Sequence, residues 1–79
     1  MERYTPLTSL HEGQFAKVSD IRATGGMRRR LLDLGIIEGT EVECVQKSPY
    51  GDPIAYLIRG AVIALRSEDA GGILVSQVG

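Results

Sequence analysis

Between Met27 and Val45 the hydrophobic pattern changes period once, and the change marks where a helix gives way to a strand. Met27, Leu31 and Leu34 recur four and three residues apart, the spacing of one helical face, and predict a short helix over about residues 26–34. Gly35 follows the last apolar position, where helices commonly stop in a left-handed conformation, and Ile36 is placed to fold back on the last turn. Gly39 predicts a turn. From Thr40 to Lys47 the period becomes two, with Glu41 and Glu43 on a wet face and Val42 and Cys44 on a dry one.

The flanking segments alternate in the same short strides. Met1–Thr5 reads as a lead-in and Pro6-Leu7-Thr8 as a short edge strand, since proline is tolerated at a strand's start. His11–Gln14 is a turn, and Phe15–Ile21 is a strand with Ala16 and Val18 on one face and Lys17 and Ser19 on the other. Thr24 is placed to cap the helix. Ser48–Pro53 carries the densest turn signal, with Pro, Gly and Asp together. Ile54–Arg59 and Val62–Arg66 are strands joined by a reversal at Gly60-Ala61. Ser67 caps a single turn through Ala70, ended by Gly71-Gly72, and Ile73–Val78 is the last strand. The expected fold is mainly β: a small barrel of five to six short strands with one short helix. Closure of the barrel would remove the sheet edges that so short a chain can hardly cover.

Composition narrows the picture without changing it. The chain has 79 residues, enough for one small domain spanning 1–79. A domain of this size buries only about 60% of its unfolded surface, so each large aliphatic side chain counts. Hydrophobic residues make up 43%, which supports a packed core rather than disorder. The formal net charge of -1 supplies no bulk attraction toward nucleic acid or an anionic membrane, and neither is expected as a partner. No apolar run approaches the ~18 residues of a membrane span, so no direct membrane insertion is expected. One cysteine, Cys44, excludes an internal disulfide. A free thiol with no export signal leads to the expectation of a cytoplasmic protein.

The chemistry-bearing residues are few. Gly25-Gly26 lacks the Lys and Ser/Thr of a phosphate loop. Free amides at that helix start could hold an anion, against the plainer reading of a flexible entry turn. One histidine, His11, and one cysteine cannot supply a tetrahedral metal site. Glu41 and Glu43 read as a solvated strand face. Cys44 shares the dry face of its strand, as a small core residue does. No arrangement for nucleophilic catalysis is visible, and the chain is not expected to be an enzyme. Arg28-Arg29-Arg30 is the one basic run; at about 100° per residue its members point in three directions and form no single patch.

In this order and spacing, LLDLGIIEGTEVE, SPYGDPIAYLIRG and IALRSEDAGGILV resemble the FeoA family of ferrous iron transport accessory proteins. The matching positions are Arg28, Leu31, Leu32, Leu34, Gly35 and Gly39, then Gly51, Asp52, Pro53 and Ile54, then Leu65, Arg66 and Ala70. The resemblance runs from about Leu7 to Val78. It implies an SH3-like barrel, a cytosolic location, and action on a FeoB-type membrane ferrous iron transporter through that protein's cytosolic G-protein or membrane-proximal part. It implies no enzymatic residue, no cofactor and no metal ligand on this chain. The similar C-terminal domain of DtxR-type iron regulators gives an alternative reading as a metal-sensing domain. A nucleic-acid-binding small barrel is a further alternative.

A partner surface can be placed on a helical wheel. With the face of Met27, Leu31 and Leu34 turned to the core, Leu32 falls roughly 140° from Met27, with Arg28 between it and the core. Arg29 and Asp33 lie on the far side, spaced to pair weakly. Either Arg28 lays its stem across the barrel and Leu32 is buried beyond it, or Leu32 is partly exposed. Leu32 rimmed by Arg28 and Arg29 is the candidate partner-binding anchor, and Tyr50 and Asp52 on the turn are the second candidate site.

Overall fold

The computed structural model describes residues 4–77. Of the expected lead-in, Met1–Arg3 lie outside the described residues, as does the expected end of the last strand at Val78. The elements run β1 (Thr5–Pro6), a 3-10 turn (Leu7–Ser9), β2 (Phe15–Ile21), α1 (Gly25–Asp33), β3 (Glu41–Lys47), β4 (Ile54–Ile58), β5 (Ala61–Leu65), α2 (Ser67–Ala70) and β6 (Ile73–Gln77).

Helix α1 stops as its spacing predicts. Gly35 takes φ +88°, a region costly for side chains with a Cβ. The Ile36 N–H donates to the Leu31 carbonyl at 3.0 Å and the Gly35 N–H to that of Leu32 at 2.9 Å, the paired bonds of a Schellman motif. Leu31 and Ile36 are wholly buried, an apolar closure worth about 1.5–3 kcal/mol per side chain. The Thr40 hydroxyl then accepts the Ile37 N–H and donates to the Gly35 carbonyl, both at 3.2 Å, so the helix stop is tied to the start of β3. Thr24 occupies the N-cap position, but its side chain makes no capping bond, and the helix opens on two glycines.

The six strands form one antiparallel sheet in the order β1-β6-β2-β3-β4-β5. Strand β2 is shared, pairing β3 along Phe15–Lys17 and β6 along Ala16–Ile21. Register shifts between Val18 and Asp20 and between Cys44 and Gln46 bend the sheet. One face supplies the core: Ala16, Val18, Val42, Cys44, Tyr56, Ile58 and Val75 are all buried. With a single sheet feeding one core, the strands wrap around their own inner face, and α1 closes it through Leu31.

Three expectations need correction. The sheet does not lose its edges, because among the described residues β5 pairs with β4 alone and forms no ladder with β1. Pro6-Leu7-Thr8 is not a strand. Only Thr5 and Pro6 pair with β6; Leu7 then turns into the core, and the 3-10 turn is held by Ser9 Oγ donating to the Pro6 carbonyl at 2.7 Å. Ser67 does not cap α2 with its own hydroxyl; its N–H donates instead to Asp52 Oδ1 at 2.7 Å, a cap supplied from a distant turn.

Candidate functional site

Helix α1 presents part of the expected surface. Leu32 is 40% exposed, so the partly exposed reading holds. Arg28 folds back, its Nη1 donating to the Ile21 carbonyl at 3.0 Å, which fixes α1 to the end of β2. Arg29 is exposed and makes no ion pair with Asp33; among the described residues Arg22–Asp20, at 3.1 Å on the open surface, is the ion pair that forms. The helix therefore offers a leucine bordered by one restrained arginine and one free arginine.

The turn after β3 divides its two candidates. Tyr50 is 94% exposed, with its backbone N–H held by Ser48 Oγ at 3.3 Å. Asp52 is exposed, and its Oδ1 accepts the Ser67 N–H at 2.7 Å, which ties the turn to the start of α2. A short internal charge-assisted bond of this kind orders the turn that displays Tyr50. No hydrogen bond among the described residues joins Tyr50 and Asp52 to Arg28, Arg29 and Leu32.

The outer face of the sheet carries a third surface that the sequence reading did not assemble. Phe15 lies opposite Glu43, Glu43 opposite Leu57, and Leu57 opposite Val62, a row across four strands. Phe15 and Val62 are 51% and 64% exposed. An open hollow of about 370 Å³ beside this row is walled by Phe15, Leu57 and Arg59 with Glu41 and Glu43. The alternation of Ala16 and Val18 into the core already placed Phe15 outward. What the alternation does not supply is the strand register that sets Phe15, Leu57 and Val62 in line.

Two buried groups, the Cys44 thiol and the Tyr56 phenol, lie on paired positions of β3 and β4. Cys44 is fully buried and its thiol is pushed up by burial, partly offset by the Lys47 charge. Tyr56, paired opposite Cys44, is also fully buried, and desolvation pushes its phenol up well beyond the usual range. The Tyr56 hydroxyl has no hydrogen-bond partner. Among the described residues no three His, Cys, Asp or Glu side chains converge to hold a metal ion. No described helix is long and apolar enough to cross a membrane.

The FeoA domain family matches residues 5–77. A fusion protein of Fe(2+) transport protein A and the Fe(2+) transporter FeoB from Porphyromonas gingivalis is 35% identical over 72 residues, covering 91% of this chain and 8% of its own length. This chain thus spans only a small part of that relative. The solution structure of a FeoA-like protein from Clostridium acetobutylicum superposes with a TM-score of 0.90 at 36% identity, covering 99% of this chain and 91% of that one. The crystal structure of Stenotrophomonas maltophilia FeoA, described as a prokaryotic SH3 domain protein complexed with zinc, superposes with a TM-score of 0.80 at 31% identity, covering 90% and 88%.

Proposed function

The chain belongs to the FeoA family, whose SH3-like fold it shares, and on that premise we propose that it acts in the cytoplasm as an accessory protein of ferrous iron uptake, binding the cytosolic part of a FeoB-type transporter. FeoA is a transport accessory domain, so the working surface is one that docks rather than one that reacts. The observation that carries the reading is the Porphyromonas gingivalis protein, in which the corresponding domain and the transporter share one polypeptide. Joining two domains in one chain raises their effective concentration to the millimolar range, which is useful where the two must meet.

Two features of this chain fit a docking role. Leu32 provides an exposed apolar anchor on a helix that is itself fixed to the sheet through Leu31 and Ile36. Tyr50 provides an exposed aromatic on a turn ordered by Asp52. A few side chains, tyrosines and arginines among the commonest, carry most of the binding energy at an interface, and here Tyr50 stands on one turn while Arg28 and Arg29 flank Leu32 on the helix. The test is co-purification of the protein with the cytosolic part of the transporter, with and without guanine nucleotide. Association at micromolar concentration supports the reading. Absence of association in both nucleotide states, with each protein folded, overturns it.

A further inference from the structure

Strand β5 combines three properties that seldom coexist on a free sheet edge. Among the described residues it pairs only with β4. Its sequence, Ala61-Val62-Ile63-Ala64-Leu65, has no charge and no proline, the devices by which natural edges resist pairing. Ala61, Val62 and Ala64 are exposed.

Its backbone also has a fixed orientation. Arg59 and Gly60, at φ +51° and +84°, form the two-residue turn of the β4–β5 hairpin, which makes Ile58 and Ala61 a hydrogen-bonded pair. Alternation then turns the N–H and C=O of Ala61, Ile63 and Leu65 toward β4, and those of Val62 and Ala64 toward open space. None of these outward groups has a partner among the described residues.

We propose that β5 is the seat of a two-fold dimer, in which a second copy of this chain pairs antiparallel with it about Ile63. That register sets Val62 opposite Ala64 of the second copy at both ends of the pair, and each couple exchanges two backbone bonds. The side chains fit, since a protruding valine lies beside an alanine on the outer face, and the apolar row from Leu57 through Val62 continues across the junction.

Charge selects both the occupant and its direction. One end of the strand carries Arg59; the other carries Asp52, Glu68 and Asp69 against the single Arg66. Among the described residues neither arginine is engaged in an ion pair. Antiparallel pairing brings Arg59 of each copy to the carboxylate-rich start of α2 in the other. Parallel pairing would stack like ends. A foreign strand would meet this pattern only if it carried the same asymmetry, which a second copy always does.

The experiment is sedimentation equilibrium of the intact protein from micromolar to millimolar concentration, with amide hydrogen exchange measured over the same range. The expected result is a concentration-dependent dimer in which the Val62 and Ala64 amides gain protection together. Arg59→Glu should weaken the dimer at least tenfold, and salt should weaken the wild-type dimer. Ala64→Pro removes an outward N–H without breaking the β4 ladder and should leave the protein monomeric. If that variant does not fold, wild-type amide protection decides. A monomer at millimolar concentration, a dimer whose protected amides lie elsewhere, or protection at Val62 and Ala64 only when a different protein is added would each overturn the proposal.

Discussion

The side chain of Arg59 lies across Gly35 so closely that a Cβ built on the glycine would stand 2.8 Å from Arg59 Cδ. The helix stop and the β4–β5 turn are therefore in contact at the one described glycine where a positive φ coincides with a close side-chain neighbour. Gly35→Val should destabilise the fold by roughly 1–3 kcal/mol from backbone strain. Gly35→Ala should cost less, because Arg59 is long and can move. Thermal unfolding of both variants checks this, and a melting temperature unchanged in Gly35→Val would remove the account of the stop.

The buried pair Cys44 and Tyr56 predicts a loss of stability in alkali. Both groups hold their protons more tightly in the folded state, since burial raises each. As pH rises past the ordinary thiol value of 9.0 and the phenol value of 10.0, the unfolded chain releases protons that the folded chain retains. Stability is thus complete below about pH 9 and declines above it. Tyr56→Phe should flatten the decline above pH 10. It should also leave the neutral-pH melting temperature equal or higher, because the hydroxyl it removes is buried without a partner, a burden of about 1–3 kcal/mol. A thiol reagent should label Cys44 slowly in the native protein and rapidly in denaturant; fast native labelling would contradict the strand register.

Asp52 should prove to be a stability residue. Asp52→Ala deletes the acceptor for the Ser67 N–H and should destabilise by about 0.5–2 kcal/mol, as loss of a helix cap does. Asp52→Asn, which keeps an acceptor, should recover most of the loss. Denaturant titration distinguishes the two, and equal destabilisation by both would mean that the capping bond is not the cause.

Leu32→Ala and Arg29→Glu should weaken binding to the transporter's cytosolic part while leaving the melting temperature within a few degrees. Both side chains are exposed, and substitutions at such positions usually change stability by less than about 0.5 kcal/mol. Calorimetric binding and unfolding of the same preparations test this. Variants that bind like wild type would move the contact surface to Tyr50 or to the outer sheet face.

The features legible in the sequence were those set by neighbours a few residues apart. The stop at Gly35, the burial of Ile36 and the inward Cys44 all follow from local spacing, and each stands in the structure. Local pattern points to Ser67 as the cap of α2, but the acceptor is Asp52 from another turn, which no local pattern signals. The change of period marks Thr40 only as a strand start, yet its hydroxyl serves Gly35 and Ile37 at once. The register shift after Cys44 leaves Gln46 exposed, where strict alternation from Val42 and Cys44 would turn it inward. The row from Phe15 to Val62 depends on register across four strands, and register emerges only when the sheet is assembled.

The pairing of Thr5 with Val75 joins residues almost a whole chain apart, whereas β2, β3 and β4 each pair with the next strand along. Closing a long loop costs more entropy than closing a hairpin, so the meander can assemble early and β1 docks only after β6 is in place. Native fluctuations run through the same order in reverse. The two-residue β1 should fray first and most often, at a free energy far below that of global unfolding, while the β3–β4 ladder should open only when the whole domain does. The protein thus has a soft end and a hard end, and a protease or an unfolding force applied near Thr5 meets the soft one.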